Sequence, residues 1–305
     1  MLRSSVSIHK IYCVIPDEMD LKANSIRNCA HDNPSLVELV SLSLDAITPQ
    51  TISNLLTVHR IHKVVIVWNN IHFLTPQDNV QDEYASEVRD VKAVIDGIEE
   101  NVSNGGYVDT VVYQSLIHNQ RSDLKDLLPF KAKAECEVAL ENLCSSLKVT
   151  IRVARFGFFF DNLARRGVMF DNVPIKSPIS FDTQFSGSSC SDAGKVLAIA
   201  TLHPDLVKKV FTFVSDNFSF KRFCERMSLP FDPNEKVSTG HPQIDEMYRR
   251  FEIRPFTANN EVSHSVVTVP LDFDSWFEEN GPLLKGRFSF LTDQVSKMGS
   301  SIGRV

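Results

Sequence analysis

Glycine is missing from the first 96 residues of this 305-residue chain: the first one is Gly97. A phosphate-binding α/β sheet opens with a strand, a glycine-rich turn and a helix N-terminus, because only glycine lets main chain and phosphate come close enough. No G-x-G-x-x-G follows an early strand pattern, and Gly105-Gly106 leads into a strand pattern instead of a helix. The usual phosphate cradle is therefore excluded. Basic excess is also missing, with 32 Lys and Arg against 38 Asp and Glu and a net charge of −6, which argues against nucleic acid as a partner. No apolar run reaches the roughly 18 residues of a membrane span. The cysteines Cys13, Cys29, Cys136, Cys144, Cys190 and Cys224 form no C-x-x-C and no Cys/His spacing, which excludes a zinc-ribbon pattern and suits a reducing compartment. The start MLRSSVSIHK lacks an apolar core, so the expectation is cytoplasmic. Its basic and hydroxyl residues leave the end of a mitochondrial address as the alternative.

What is present is a 43% hydrophobic chain, long enough for a sizeable core. Segments 9–16, 35–44, 62–70, 108–116 and 148–160 are rich in Val, Ile and aromatics and are separated by helix-length stretches, so they read as strands. KVVIVW and VDTVVYQ are almost continuously apolar, as in parallel strands covered on both faces. Helices are expected over 17–30, 48–60, 82–102 and 130–146. In the third of these, Tyr84, Val88, Val91, Val94, Ile95 and Ile98 form one stripe. Past residue 165 the texture changes to a polar loop, a helix from about Ser191, a strand in VKKVFTFVSD and a helix in SFKRFCERMS. The fold class is α/β, a doubly wound, mostly parallel sheet over 1–163 with a smaller α+β lobe over 164–305.

Two stretches then carry a family resemblance. PFKAKAECEVALENL followed by VTIRVARFGFFFDNL, and SCSDAGKVLAIATLHPDLVKKVFTFVSD further on, resemble the NmrA-like proteins, atypical members of the short-chain dehydrogenase/reductase superfamily with a Rossmann-like sheet. IDEMYRRFEIRP and FDSWFEENGPLL resemble the closing segment of that family, in particular of its redox-sensor group. The resemblance covers about residues 9 to 285. It implies that KIYCVIPDEMDLKANSIRNCAHDNPSLVELVSLSLD spans the family's second and third strands, so the first strand, glycine loop and first helix have no counterpart. Pro16-Asp17-Glu18 stand where the family places an Arg for the 2′-phosphate of NADP, and acids there repel a phosphate.

The resemblance also implies a cofactor crevice lined by Asn69 after KVVIVW, Tyr113 and Ser115 in VVYQSL, Lys133, Phe159 and Asn162, with NADP or NAD as its ligand. The catalytic tyrosine of active short-chain reductases would stand four residues before Lys133, and Pro129 is there. No catalytic and no metal-ligating residues are expected. From the residues alone, Lys133 also reads as a helix-start lysine with a solvated head, Tyr113 as a half-buried tyrosine satisfied locally, and Phe156, Phe158, Phe159 and Phe160 as core.

The expectation is a non-catalytic scaffold or regulator, a pseudoenzyme that works through a protein partner or as a homo-oligomer. The alternatives are an NAD(P)H-binding redox sensor, an atypical oxidoreductase, or an accessory subunit of a mitochondrial complex. In the family's strand order 3-2-1-4-5, loss of the first strand leaves the edges of the second and fourth unpaired, which is costly. Another segment should fill the gap, either RFSFLTDQV at 287–295 or a partner. Direct pairing of the second and fourth strands would defeat that expectation.

Overall fold

The apolar runs become two parallel sheets. The computed structural model describes residues 8, 10–15, 24–68, 80–164, 175–240, 242–263 and 270–287. The first piece is β1 (Ile11–Ile15), α1 (Asn24–Asp32) and β2 (Val37–Ser41), with β1 and β2 parallel and Ile11 opposite Val37.

After α2 (Pro49–Val58) the second piece begins with β3 (Lys63–Ile66), α3 (Val80–Ser103), β4 (Thr110–Leu116), α4 (Leu128–Ser146) and β5 (Thr150–Phe156). The short β6 (Phe158–Phe159), β7 (Ile175–Ser177) and β8 (Phe185–Ser188) follow, then α5 (Cys190–Leu202) and β9 (Val210–Phe213). The main sheet is parallel throughout, in the order β3-β4-β5-β9. β9 comes from the second half of the chain and closes this sheet.

β4 shows why a continuous apolar run suits the middle. Alternate side chains leave a strand on opposite faces. Val111 and Tyr113 pack with Ile95 and Ile98 of α3 and Leu140 of α4, while Val112 packs with Val196 and Ala200 of α5. The α3 stripe lies as expected, with Tyr84, Val91, Ile95 and Ile98 buried. α2 starts on Thr48, whose side chain accepts from Thr51 N–H at 3.2 Å, with Pro49 in the first turn. Gly97 lets α2 and α3 approach: a Cβ there would lie 2.7 Å from Pro49 O and from Ile52 Cβ.

The remainder is a lobe built on aromatic rings. β10 (Asp216–Phe218), β8 and β6 form one small sheet, and β11 (Phe231–Lys236) pairs with β7. α6 (Phe220–Met227), α7 (Pro242–Ile253) and α8 (Phe273–Arg287) pack on them. Phe218 stacks on Phe273 at 5.2 Å, and Phe160 meets Trp276 at 5.7 Å. Arg250 ties the lobe to the first half, donating to Asp123 O at 2.5 Å and to Asp126 Oδ2 at 2.9 Å. Among the described residues no helix is long and apolar enough to cross a membrane.

Candidate nucleotide crevice

The site to inspect is the C-terminal edge of the sheet, where β3, β4 and β5 end. Trp68 lies two residues past β3, and Asn69 falls outside the described residues. Ser115 is near the end of β4. Tyr113 is in the middle of that strand and fully buried, so it belongs to the layer beneath the crevice. Its hydroxyl points at Glu87 Oε1, 3.5 Å away, and burial, then neighbouring Cys136 and Glu87, pushes its pKa well above the ordinary tyrosine value.

Lys133 is on the second turn of α4, and its head is not solvated. Nζ sits 2.6 Å from Glu87 Oε1, donates to Trp68 O at 3.0 Å and to Gln114 O at 3.5 Å, and lies 5.3 Å from the centre of the Tyr113 ring. The lysine side chain is 13% exposed and that of Glu87 2%. An ammonium has three N–H donors, and here each has an acceptor on this chain. A solvated head is excluded because Glu87, buried in the α3 stripe, needs a cation beside it.

A second buried carboxylate stands one helical turn on. Glu137 Oε1 accepts from Ser115 Oγ at 2.6 Å, Asn119 Nδ2 at 2.7 Å and Arg155 Nε at 3.0 Å, and Oε2 accepts from Arg155 at 2.5 Å. Ser115 is thereby committed to holding α4 against β4 and β5. Glu87, Asn119, Glu137 and Arg155 were missed by sequence reasoning. The available signal was an acid on an apolar stripe: Glu87 lies three residues after Tyr84 and four before Val91, and Glu137 three before Leu140.

Phe159 and Asn162 lie past β5, on the side of the lobe. Phe159 is in β6, opposite Ser188 of β8, and its ring packs 5.8 Å from that of Phe156. Asn162 is half-buried in the 3₁₀ turn Phe160–Ala164, which is fastened to α5 where Asp161 Oδ2 accepts from Cys190 N–H at 2.7 Å. The fold therefore gathers Trp68, Tyr113, Ser115 and Lys133 around two carboxylates, whereas Phe159 packs with Val112, Phe156 and Phe213 on the other face of the sheet and Asn162 sits in the turn that follows. Cys136, beneath Tyr113, has its thiol pushed up to about 11 by burial, so it stays protonated at neutral pH.

The described residues do not fit a dinucleotide. The sequence holds no glycine before Gly97 with which to form a phosphate turn, and the lysine that would hold a ribose has its donors occupied. Among the described residues no three His, Cys, Asp or Glu side chains are grouped so as to hold a metal ion.

The chain matches no known family profile and no curated protein sequence. Its backbone is nonetheless similar to solved structures. One is a monomeric L-threonine 3-dehydrogenase from a metagenome, at TM-score 0.60 and 12% identity, covering 90% of this chain and 99% of that one. Another is an NADPH-dependent quinone oxidoreductase from Escherichia coli in complex with NADPH, at TM-score 0.55 and 12% identity, covering 82% and 81%. The pinoresinol-lariciresinol and phenylcoumaran benzylic ether reductases give TM-score 0.55 and 12% identity over 88% and 90%. At these identities the likeness establishes a Rossmann fold of the kind found in NAD(P)-dependent reductases and dehydrogenases.

Proposed function

We propose that this chain is an NmrA-like Rossmann-fold protein without catalytic activity, acting as a regulator or scaffold through protein contacts. The observation that carries the reading is the saturated Lys133 ammonium, with Glu87 at 2.6 Å and two main-chain carbonyls as its acceptors. A lysine so engaged has nothing left to offer a ribose hydroxyl without first breaking a buried ion pair. Pro129 in place of a proton-donating tyrosine and the missing glycine turn point the same way. The free thiols Cys13, Cys29, Cys136, Cys190 and Cys224 suit a reducing compartment, and the reading places the protein in the cytoplasm.

The second reading, an NAD(P)H-binding redox sensor or atypical oxidoreductase, is favoured by one observation: the likeness to a quinone oxidoreductase solved with NADPH. Calorimetric titration of the chain with NADPH and NADH separates the two. The proposal expects no saturable heat up to millimolar nucleotide. Saturable micromolar binding would overturn it in favour of the redox-sensor reading.

A further inference from the structure

α4 buries one face and keeps an apolar residue on the other. Cys136, Leu140 and Leu143 are at most 2% exposed and pack with Ile95 and Ile98 of α3, whereas Val138, midway between the first two, is 58% exposed. A single exposed valine is ordinary on a protein surface. This one lies in a groove of about 360 Å³ over α4 and the neighbouring part of α3, lined also by Ala134 and Ala139. Positions 131, 134, 135, 138 and 142 all line it, the spacing of one outward stripe of a helix.

Around this apolar floor the charge is positive. Lys92 comes from α3, Lys125 from the turns before α4 and Lys131 from its first turn, and all three are exposed. Glu135 is the one carboxylate of the lining, and it stands 3.9 Å from Lys92, near the limit of an ion pair. Among the described residues no carboxylate pairs with Lys125 or Lys131. Three lysines against one glutamate make this groove cationic on a chain whose net charge is −6.

We propose that this groove docks an acidic segment of a partner protein, with carboxylates on Lys92, Lys125 and Lys131 and an apolar side chain on Val138. It rests on the reading of this chain as one that acts through protein contacts, and gives that contact a place and a chemistry. Charge complementarity selects the occupant: the net negative charge of the chain repels an acidic partner, and the groove attracts it, so the charges fix where it lands. The apolar floor supplies the dry centre that a protein interface needs and that a small anion cannot use. A second copy of this chain suits the groove less well, because a two-fold contact sets a patch against itself and would bring both sets of lysines together.

Fluorescence anisotropy of the full chain with a labelled peptide, a run of glutamates interrupted by leucines, tests this without any nucleotide. Failure here removes the groove alone, and the nucleotide titration decides the non-catalytic reading separately. The peptide should bind saturably. Lys125→Glu combined with Lys131→Glu should weaken it about tenfold, and Val138→Asp about threefold, all at exposed positions where folding is little affected. Amide NMR shifts in the unaltered chain, which need no variant, should cluster at Lys92 and over residues 125–142. Absence of saturable binding, shifts centred elsewhere, or undiminished binding by the lysine double variant would each overturn the proposal. So would equally tight binding of a leucine-free polyglutamate or of a single-stranded oligonucleotide, which would reduce the groove to unspecific charge. A dimer by light scattering that Val138→Asp dissolves would overturn it too and assign the groove to a second copy.

Discussion

Apolar side chains meet opposite fates at the two ends of this fold. In the C-terminal lobe Phe160, Phe218, Phe220, Phe223 and Phe273 are at most 2% exposed, each ring covered by others. At the sheet break Ile11, Val14, Val65 and Val67 are 39 to 53% exposed, although β1 and β3 are as apolar as any strand of the sheet. The lobe supplies every neighbour its core needs, whereas the described part of β1 and β3 lacks a lateral one. Burial follows from the completeness of the surroundings more than from the hydrophobicity of the segment.

The largest effects should come from the finished regions. Phe218→Ala, which removes a ring stacked on Phe273 and edge-on to Phe160, should cost about 3–5 kcal/mol in denaturant unfolding. A cost under about 1 kcal/mol would mean that the lobe is loosely packed and would erase the contrast. Lys133→Met should cost a similar amount, about 3–5 kcal/mol, because Glu87 is left charged and buried. The double variant Lys133→Met with Glu87→Gln should recover most of that loss. If it is no more stable than the single variant, the pair does not hold the crevice closed.

A smaller effect lies at the clamp between lobe and sheet. The hydrogen bonds from Arg249 and then Arg250 hold Glu246 down at about 2, and Arg121 holds Asp123 at about 2. Both carboxyls are depressed below their ordinary values of 4.5 and 3.8, so the unfolded chain takes up protons first as pH falls. Their stabilisation is therefore complete above about pH 4.5 and is lost as pH falls toward about 2. The melting temperature should fall across that window, and Arg250→Gln should flatten the fall; an unchanged slope would remove the clamp from the account.

The smallest effect sharpens the comparison most. Val65→Thr should change stability by no more than about 0.5 kcal/mol, as at an open surface site. A cost above about 1 kcal/mol in denaturant unfolding would mean that this edge is covered and would erase the contrast.

The sheet was legible because its strands are runs of Val, Ile and aromatics with helix-length spacers: KVVI, TVVYQSL and TIRVARF all became strands in one parallel ladder. The family's strand order led to the expectation that β1 and β3 are not neighbours, and among the described residues they do not pair. The environment of Lys133 was not legible. Its acceptors come from α3, from the carbonyl of Trp68 65 residues away and from β4, and no local pattern places main-chain carbonyls from separate strands around one ammonium. Tyr113 was read as half-buried because its phenol suggested an outlet; Glu87 supplies one inside the core. Asn69 and the segment 288–295 lie outside the described residues.

The central claim is that the Lys133 ammonium is fully engaged by its own chain, and NMR of lysine NH₃⁺ groups tests it most directly. Solvent-exposed ammonium protons exchange too fast to observe near neutral pH, whereas a buried and hydrogen-bonded one persists. The account expects a slow signal that disappears in Lys133→Met and does not move when NADPH is added. Absence of that signal, or a shift on addition of NADPH, would contradict it.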